Sequence, residues 1–152
     1  MKNNTYFEEL ERIGREWQKK YDAHKALKDR ILEEHGWDSP ELKAWYAEEE
    51  EMIYSIPQGA NKAYRAWRYS QGDEVVMEDF CWTAERHDFI DTLRKAGLQS
   101  FVTVNNSTGL MEDIHGYIAE GCTLEGPCTI VKKDNRFGEE TEETIQGLRF
   151  SL

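Results

Sequence analysis

Residues 72–109 read GDEVVMEDFCW, TAERHDFIDTLRKAGL and QSFVTVNNSTG in succession, and this stretch decides the fold. Val75, Val76, Met77 and Phe80 form a short apolar run of strand character. Thr83 stands where a helix cap belongs, with Glu85 in the first turn. Phe89, Ile90 and Leu93 supply a buried side, Arg94 and Lys95 suit the last turn, and Gly97 is placed as a left-handed terminator. Residues 100–104 are too short and too β-branched for another helix and read as a buried strand. Strand, helix and strand in this length predict a right-handed crossover between parallel strands.

Downstream, Ser107 or Thr108 is expected to cap a second helix, with Leu110, Met111, Ile114, Tyr117 and Ile118 at helical spacing and Gly121 as its end. Gly126-Pro127 is a turn signal, and residues 128–131 are a strand. Residues 134–138 read as a loop, with the acidic run 139–143 as its solvated extension. Leu148, Phe150 and Leu152 alternate with Gly147, Arg149 and Ser151, the pattern of a half-buried strand. The tail is therefore expected to be antiparallel, and the second half of the chain β-α-β-α-β-β.

Upstream, Phe7, Leu10, Ile13, Trp17, Tyr21, His24, Leu27 and Ile31 fall three or four apart, one stripe on a long helix that Gly36 ends. Ser39-Pro40-Glu41 is a helix start, with Ser39 as cap and Pro40 in the first helical position. A third helix is expected from Gln58 to Ser70, after Pro57. The predicted fold class is α/β with an α+β tail: a helical segment at 1–72 and a small sheet domain at 73–152, possible as one compact unit.

The 152 residues suit one domain with a helical appendage and are enough for a core without disulfides or metals. Charged residues are 32% of the chain and aromatics 12%, a polar but foldable balance that long two-faced helices reconcile. The net charge of −11 is uneven: residues 1–72 carry −2 and residues 73–152 carry −9. That acidity disfavours nucleic acid and anionic membrane as partners and suits a basic protein or simple solubility; the expected partner is another protein or a second copy of the chain. MKNNTYFEEL lacks the apolar core of an export signal, and Cys81, Cys122 and Cys128 are an odd number of thiols, so the expected setting is cytoplasmic.

The run DFCWTAERHDFIDTLRKAGLQSFVTVNNSTGLMEDIHGYIAEG, with the closing GLRFSL, resembles a family of small uncharacterised bacterial proteins. That family is associated with mobile elements and phages of gut bacteria. The resemblance covers about residues 73–152. It implies an accessory role and carries over no catalytic residue.

Two strand ends are the candidate ligand-binding site. Asn105, Asn106, Ser107, Thr108 and Gly109 lie where the second strand meets the next helix, the usual ligand position in open α/β sheets and a place where free N–H groups attract an anion. Asp79 and Trp82 follow the first strand and would face that loop, Asp79 as an acceptor or base and Trp82 as a wall. There is no Walker lysine and no G-x-G-x-x-G. The Cys81–His87 and Cys122–Cys128 spacings are longer than zinc-ligand gaps, so no metal and no cofactor are expected; Cys122 and Cys128 meeting across a turn would make a redox pair instead. Three functions follow as expectations. The leading one is a non-enzymatic protein-binding or regulatory module. The others are a small-ligand or phosphate-handling enzyme at the two strand ends, and an acidic DNA mimic.

Overall fold

A computed structural model describes residues 3–152, which form two compact units, residues 3–57 and residues 58–152. The first is a pair of helices, α1 (Thr5–His35) and α2 (Pro40–Tyr54). Asn4 caps α1 by accepting from the Phe7 N–H, and Gly36 ends it at φ +82°, a conformation that suits a residue without a Cβ. Ser39 caps α2 through its Oγ, which accepts from the Leu42 N–H at 3.2 Å. Contacts between Trp17 and Met52, Tyr21 and Glu49, and His24 and Trp45 run in opposite senses along the two helices, so they are antiparallel. The central contact is reciprocal. His24 Nε2 donates to the Trp45 carbonyl at 3.0 Å, Trp45 Nε1 donates to the His24 carbonyl at 2.8 Å, and the two rings stack 4.6 Å apart. A carbonyl only accepts, so Nε2 of this buried ring carries a proton.

The second unit is a four-stranded mixed sheet with three helices, an α+β arrangement. It comprises α3 (Gln58–Tyr69), β1 (Val75–Met77), α4 (Thr83–Lys95), β2 (Ser100–Thr103), α5 (Leu110–Ala119), β3 (Thr123–Arg136) and β4 (Glu139–Ser151). The sheet order is β1-β2-β4-β3, with β1 and β2 parallel and the other pairs antiparallel. The register places Val75, Met77, Phe101, Thr103, Leu148 and Phe150 on one face. Phe89 of α4 and Tyr117 of α5 pack on that face: the ring of Phe101 lies 5.6 Å from Phe89, 5.0 Å from Tyr117 and 5.4 Å from Phe150. All four rings are fully buried, each worth about 2 kcal/mol of apolar burial. Both α4 and α5 end in a Schellman motif. Gly97 donates to the Arg94 carbonyl and Leu98 to Leu93; Gly121 donates to Ile118 and Cys122 to Tyr117.

Several local expectations change. The helix α3 belongs with the sheet, so the division falls after Pro57 and not near residue 72. The reason is Gly59: a Cβ there would stand 2.1 Å from the Glu85 carbonyl oxygen, so the α3 backbone lies directly on α4. Strand β1 ends at Met77, and Phe80 turns over Gly109 instead of continuing it. Thr83 does not cap α4. Trp82 is the N-cap, and Glu85 Oε2 accepts the Trp82 N–H, the half of a capping box available to a residue with no acceptor. Neither Ser107 nor Thr108 caps α5, whose N-cap is Gly109.

The largest change is in the tail. Residues 134–143 are not a loop with an extension, because β3 and β4 pair continuously from Thr123↔Ser151 to Arg136↔Glu139 with one bulge at Leu124/Gly126. Phe137 and Gly138 alone make the turn, at φ +56° and +80°, the signs of a type I′ hairpin turn. Lys132 and Lys133 stand opposite Glu143 and Glu142, and these opposite charges favour the pairing.

Candidate functional site

The face of the sheet opposite α4 and α5 carries Val76, Val102, Arg149 and Ile145. The outer part of the β3–β4 hairpin reaches back toward β1 on this side and is fastened at two points. The Gln71 side chain donates to the Lys133 carbonyl at 2.6 Å and accepts its N–H at 2.7 Å, standing in for a neighbouring strand. Lys132 Nζ binds Glu78 at 2.9 Å, and the Glu78 carboxylate raises the lysine pKa. Beneath lies a cleft of about 470 Å³ with Val76, Val104, Ile130 and Ile145 among its lining. At its end Arg149 grips Glu74 through two N–H groups, at 2.7 and 2.8 Å. The Arg149 guanidinium holds the Glu74 carboxyl below the usual carboxylate range.

A second, open cleft of about 860 Å³ lies where β2 leaves the sheet. Strand β4 has 13 residues, and β2 pairs with only Leu148–Ser151 of them. Along residues 139–146 the outer edge of β4 has no strand beside it among the described residues. Glu143, Thr144, Ile145 and Gln146 of that edge line one side of the cleft, and Asn105, Asn106 and Leu110 close its end. Residues 139–144 are all exposed. The outer edge of β3 differs: Pro127 has no N–H, a bulge interrupts it at Leu124/Gly126, and Gln71 occupies Lys133. Such devices block strand addition, and residues 139–146 of β4 have none of them except charge.

The sequence-derived candidates separate in space. Asp79 and residues 105–109 do follow the carboxyl ends of neighbouring parallel strands. Asp79, however, lines the cleft under the hairpin, whereas Asn105 and Asn106 line the open cleft. Trp82, Ser107, Thr108 and Gly109 line neither. Trp82 packs edge-on against Phe80 at 4.8 Å, and Gly109 sits under the Phe80 ring, where a Cβ would be 2.2 Å from a ring carbon. Asn105 is buried and accepts the Ser107 N–H at 2.9 Å, while Ser107 Oγ accepts the Gly109 N–H. Asn105 Oδ1 and Ser107 Oγ are therefore spent on the loop's own turn.

Behind the loop lies a buried ion pair that the spacing of the sequence did not reveal. Asp113 Oδ1 accepts from Arg86 Nη2 at 3.2 Å, its Oδ2 accepts the Cys81 N–H at 3.1 Å, and Arg86 also donates to the Cys81 carbonyl. Burial raises the Asp113 pKa, opposed by the Cys81 N–H and by Arg86. The Arg86 guanidinium lies on Gly116, where a Cβ would come within 2.1 Å of Nη1. Burial also pushes the Cys81 thiol up to about 12, and the group is fully enclosed, so it is no nucleophile at neutral pH. Cys122 and Cys128 do not meet across a turn. Cys122 just precedes β3 and Cys128 lies within it, opposite Gly147, and all three thiols are free.

Acidic residues stand on α4, α5, the loops and β4, and several are paired with cations. Among the described residues no group of three His, Cys, Asp or Glu is placed to hold a metal ion, and no helix is long and apolar enough to cross a membrane.

No curated protein and no solved structure matches the chain. A family model does match, over residues 60–152, which begins within α3 and takes in the whole sheet. The chain therefore belongs to the family described as Domain of unknown function (DUF7698).

Proposed function

We propose that this protein is a non-enzymatic protein-binding module that takes an extended segment of its partner on the outer edge of β4. One observation carries the reading: residues 139–146 offer an unpaired row of backbone N–H and C=O groups beside an open cleft. Strand addition needs such a row, with main-chain hydrogen bonds giving affinity and flanking side chains giving specificity. Eight residues of strand span about 27 Å, room for a short peptide. The enclosed Cys81 and the separation of Asp79 from residues 105–109 support a binding role over a catalytic one.

The test is selection from a library of random octapeptides against the full chain, followed by N-methylation of alternate amides in the selected sequences. Main-chain pairing predicts that methylation on one alternation abolishes binding and on the other is tolerated. Selected peptides that bind equally well with either alternation methylated would refute the reading.

A second reading, a small-ligand site, is favoured by the cleft under the hairpin, whose apolar lining and volume suit a small organic molecule. Its test is a fragment screen read by chemical shifts: hits must move Val76, Val104 and Ile130, and a screen with no shifts there removes it.

A further inference from the structure

The partner's charge can be inferred from how β3 disposes of its cations, an inference that rests on strand addition at β4. Four glutamates, Glu139, Glu140, Glu142 and Glu143, occupy five consecutive positions of the open edge strand. Because side chains alternate, Glu139 and Glu143 share one face of the sheet and Glu140 and Glu142 the other. Strand β3 places Arg136 opposite Glu139, Asn135 opposite Glu140, Lys133 opposite Glu142 and Lys132 opposite Glu143. Two of these cations turn away: Lys132 binds Glu78 at 2.9 Å, and Arg136 binds Asp134 at 2.7 Å. Lys133 reaches Glu142 at 3.6 Å. The hairpin thus leaves Glu139, Glu140 and Glu143 without a short ion pair among the described residues.

We infer that the segment accepted by β4 is a basic one, with Lys or Arg on both faces across about five residues. A second copy of this chain is the poor occupant. Pairing two β4 edges would set one run of glutamates against another, and like charges on adjacent strands are destabilising. An anionic polymer meets the same repulsion. A basic strand receives cross-strand partners for both faces, while its end toward β2 abuts Asn105, Asn106 and Leu110 in the open cleft. The glutamates therefore do two jobs, keeping copies of the protein apart and choosing the sign of the partner.

The experiment uses three capped octapeptides of one scaffold, with Lys, Gln or Glu at three positions spread over both faces of the strand and Val or Thr elsewhere, and the full chain, measured by fluorescence anisotropy and by amide chemical shifts. Three charge pairs predict that the Lys peptide binds roughly tenfold more tightly than the Gln peptide at low salt. The advantage of the Lys over the Gln peptide shrinks in 1 M salt and disappears in the variant E139Q/E140Q/E143Q. If Lys and Gln peptides bind the natural chain equally at this edge, the charge inference is overturned and strand addition stands. If neither peptide perturbs amides of residues 139–146, strand addition fails and the inference falls with it.

Discussion

Burial holds the Cys81 thiol near 12, and Cys122 is almost as enclosed, whereas Cys128 is half-buried on β3. Iodoacetamide at pH 8 is therefore expected to modify Cys128 first and to leave Cys81 intact until the chain unfolds. Peptide mapping that found Cys81 alkylated in the native protein would contradict the buried network. His87 gives a pH signature at the surface. Its Nδ1 lies 2.9 Å from Glu120, and the hydrogen bond and charge of that carboxylate raise the imidazole pKa. A raised folded pKa means the pair contributes below the ordinary histidine value of about 6.5 and is lost as pH rises through the folded value. Proton NMR should find the His87 midpoint above that of a model peptide, and E120Q should bring it down; an unchanged midpoint in E120Q would dismiss the pair. At this scale the sequence is least legible. His87 reads as a lone helical histidine because Glu120 is 33 positions away. At Gly59, Gly109 and Gly116, likewise, what forbids a Cβ is a neighbour brought in by the fold: the Glu85 carbonyl, the Phe80 ring and the Arg86 guanidinium.

The elements themselves were largely readable, for reasons that can be named. The Ser39-Pro40 start and the glycines Gly36, Gly97 and Gly121 act over a few residues and are used as expected, whereas the helix stripes are only partly covered, with Ile13, Leu27, Met111 and Ile118 exposed. The outer half of the β3–β4 hairpin was missed because β4 is exposed on both sides over residues 139–144, where no alternation of apolar and polar residues reveals period two. Charge pairing across the strands replaced it. The turn also hid itself: type I′ turns favour Asn-Gly, and here the first position is Phe137, a fully exposed aromatic at φ +56°. Phe137→Asn should relieve that strain and stabilise the hairpin by about 1 kcal/mol, read as a higher midpoint of thermal unfolding. A lower midpoint would mean that the Phe137 side chain holds the turn in some other way.

At the scale of the molecule, residues 58–152 contain the sheet, its helices and the whole of the matched family region, and the rings around Phe101 belong to this unit alone. A chain of residues 58–152 should unfold in one cooperative transition, seen by circular dichroism. A broad, non-cooperative melt would show that the unit needs the first 57 residues. The function, in contrast to the fold, lay outside what a sequence pattern can hold. The candidate loop at 105–109 was chosen because loops after parallel strands commonly bind ligands; two of its oxygens, Asn105 Oδ1 and Ser107 Oγ, are engaged in its own turn. The open edge of β4 arises from a mismatch in length, 13 residues against the four of β2, which no local motif encodes.

The measurement that tests the strand-addition account most directly is residue-resolved amide exchange on the full chain, alone and saturated with the lysine octapeptide. In β4 every second N–H already bonds to β3, so an added strand must protect the remaining ones. The account predicts that protection appears at alternate residues within 139–146 and nowhere else in the chain. Protection spread over helices, or no gain along β4 at saturation, would contradict it.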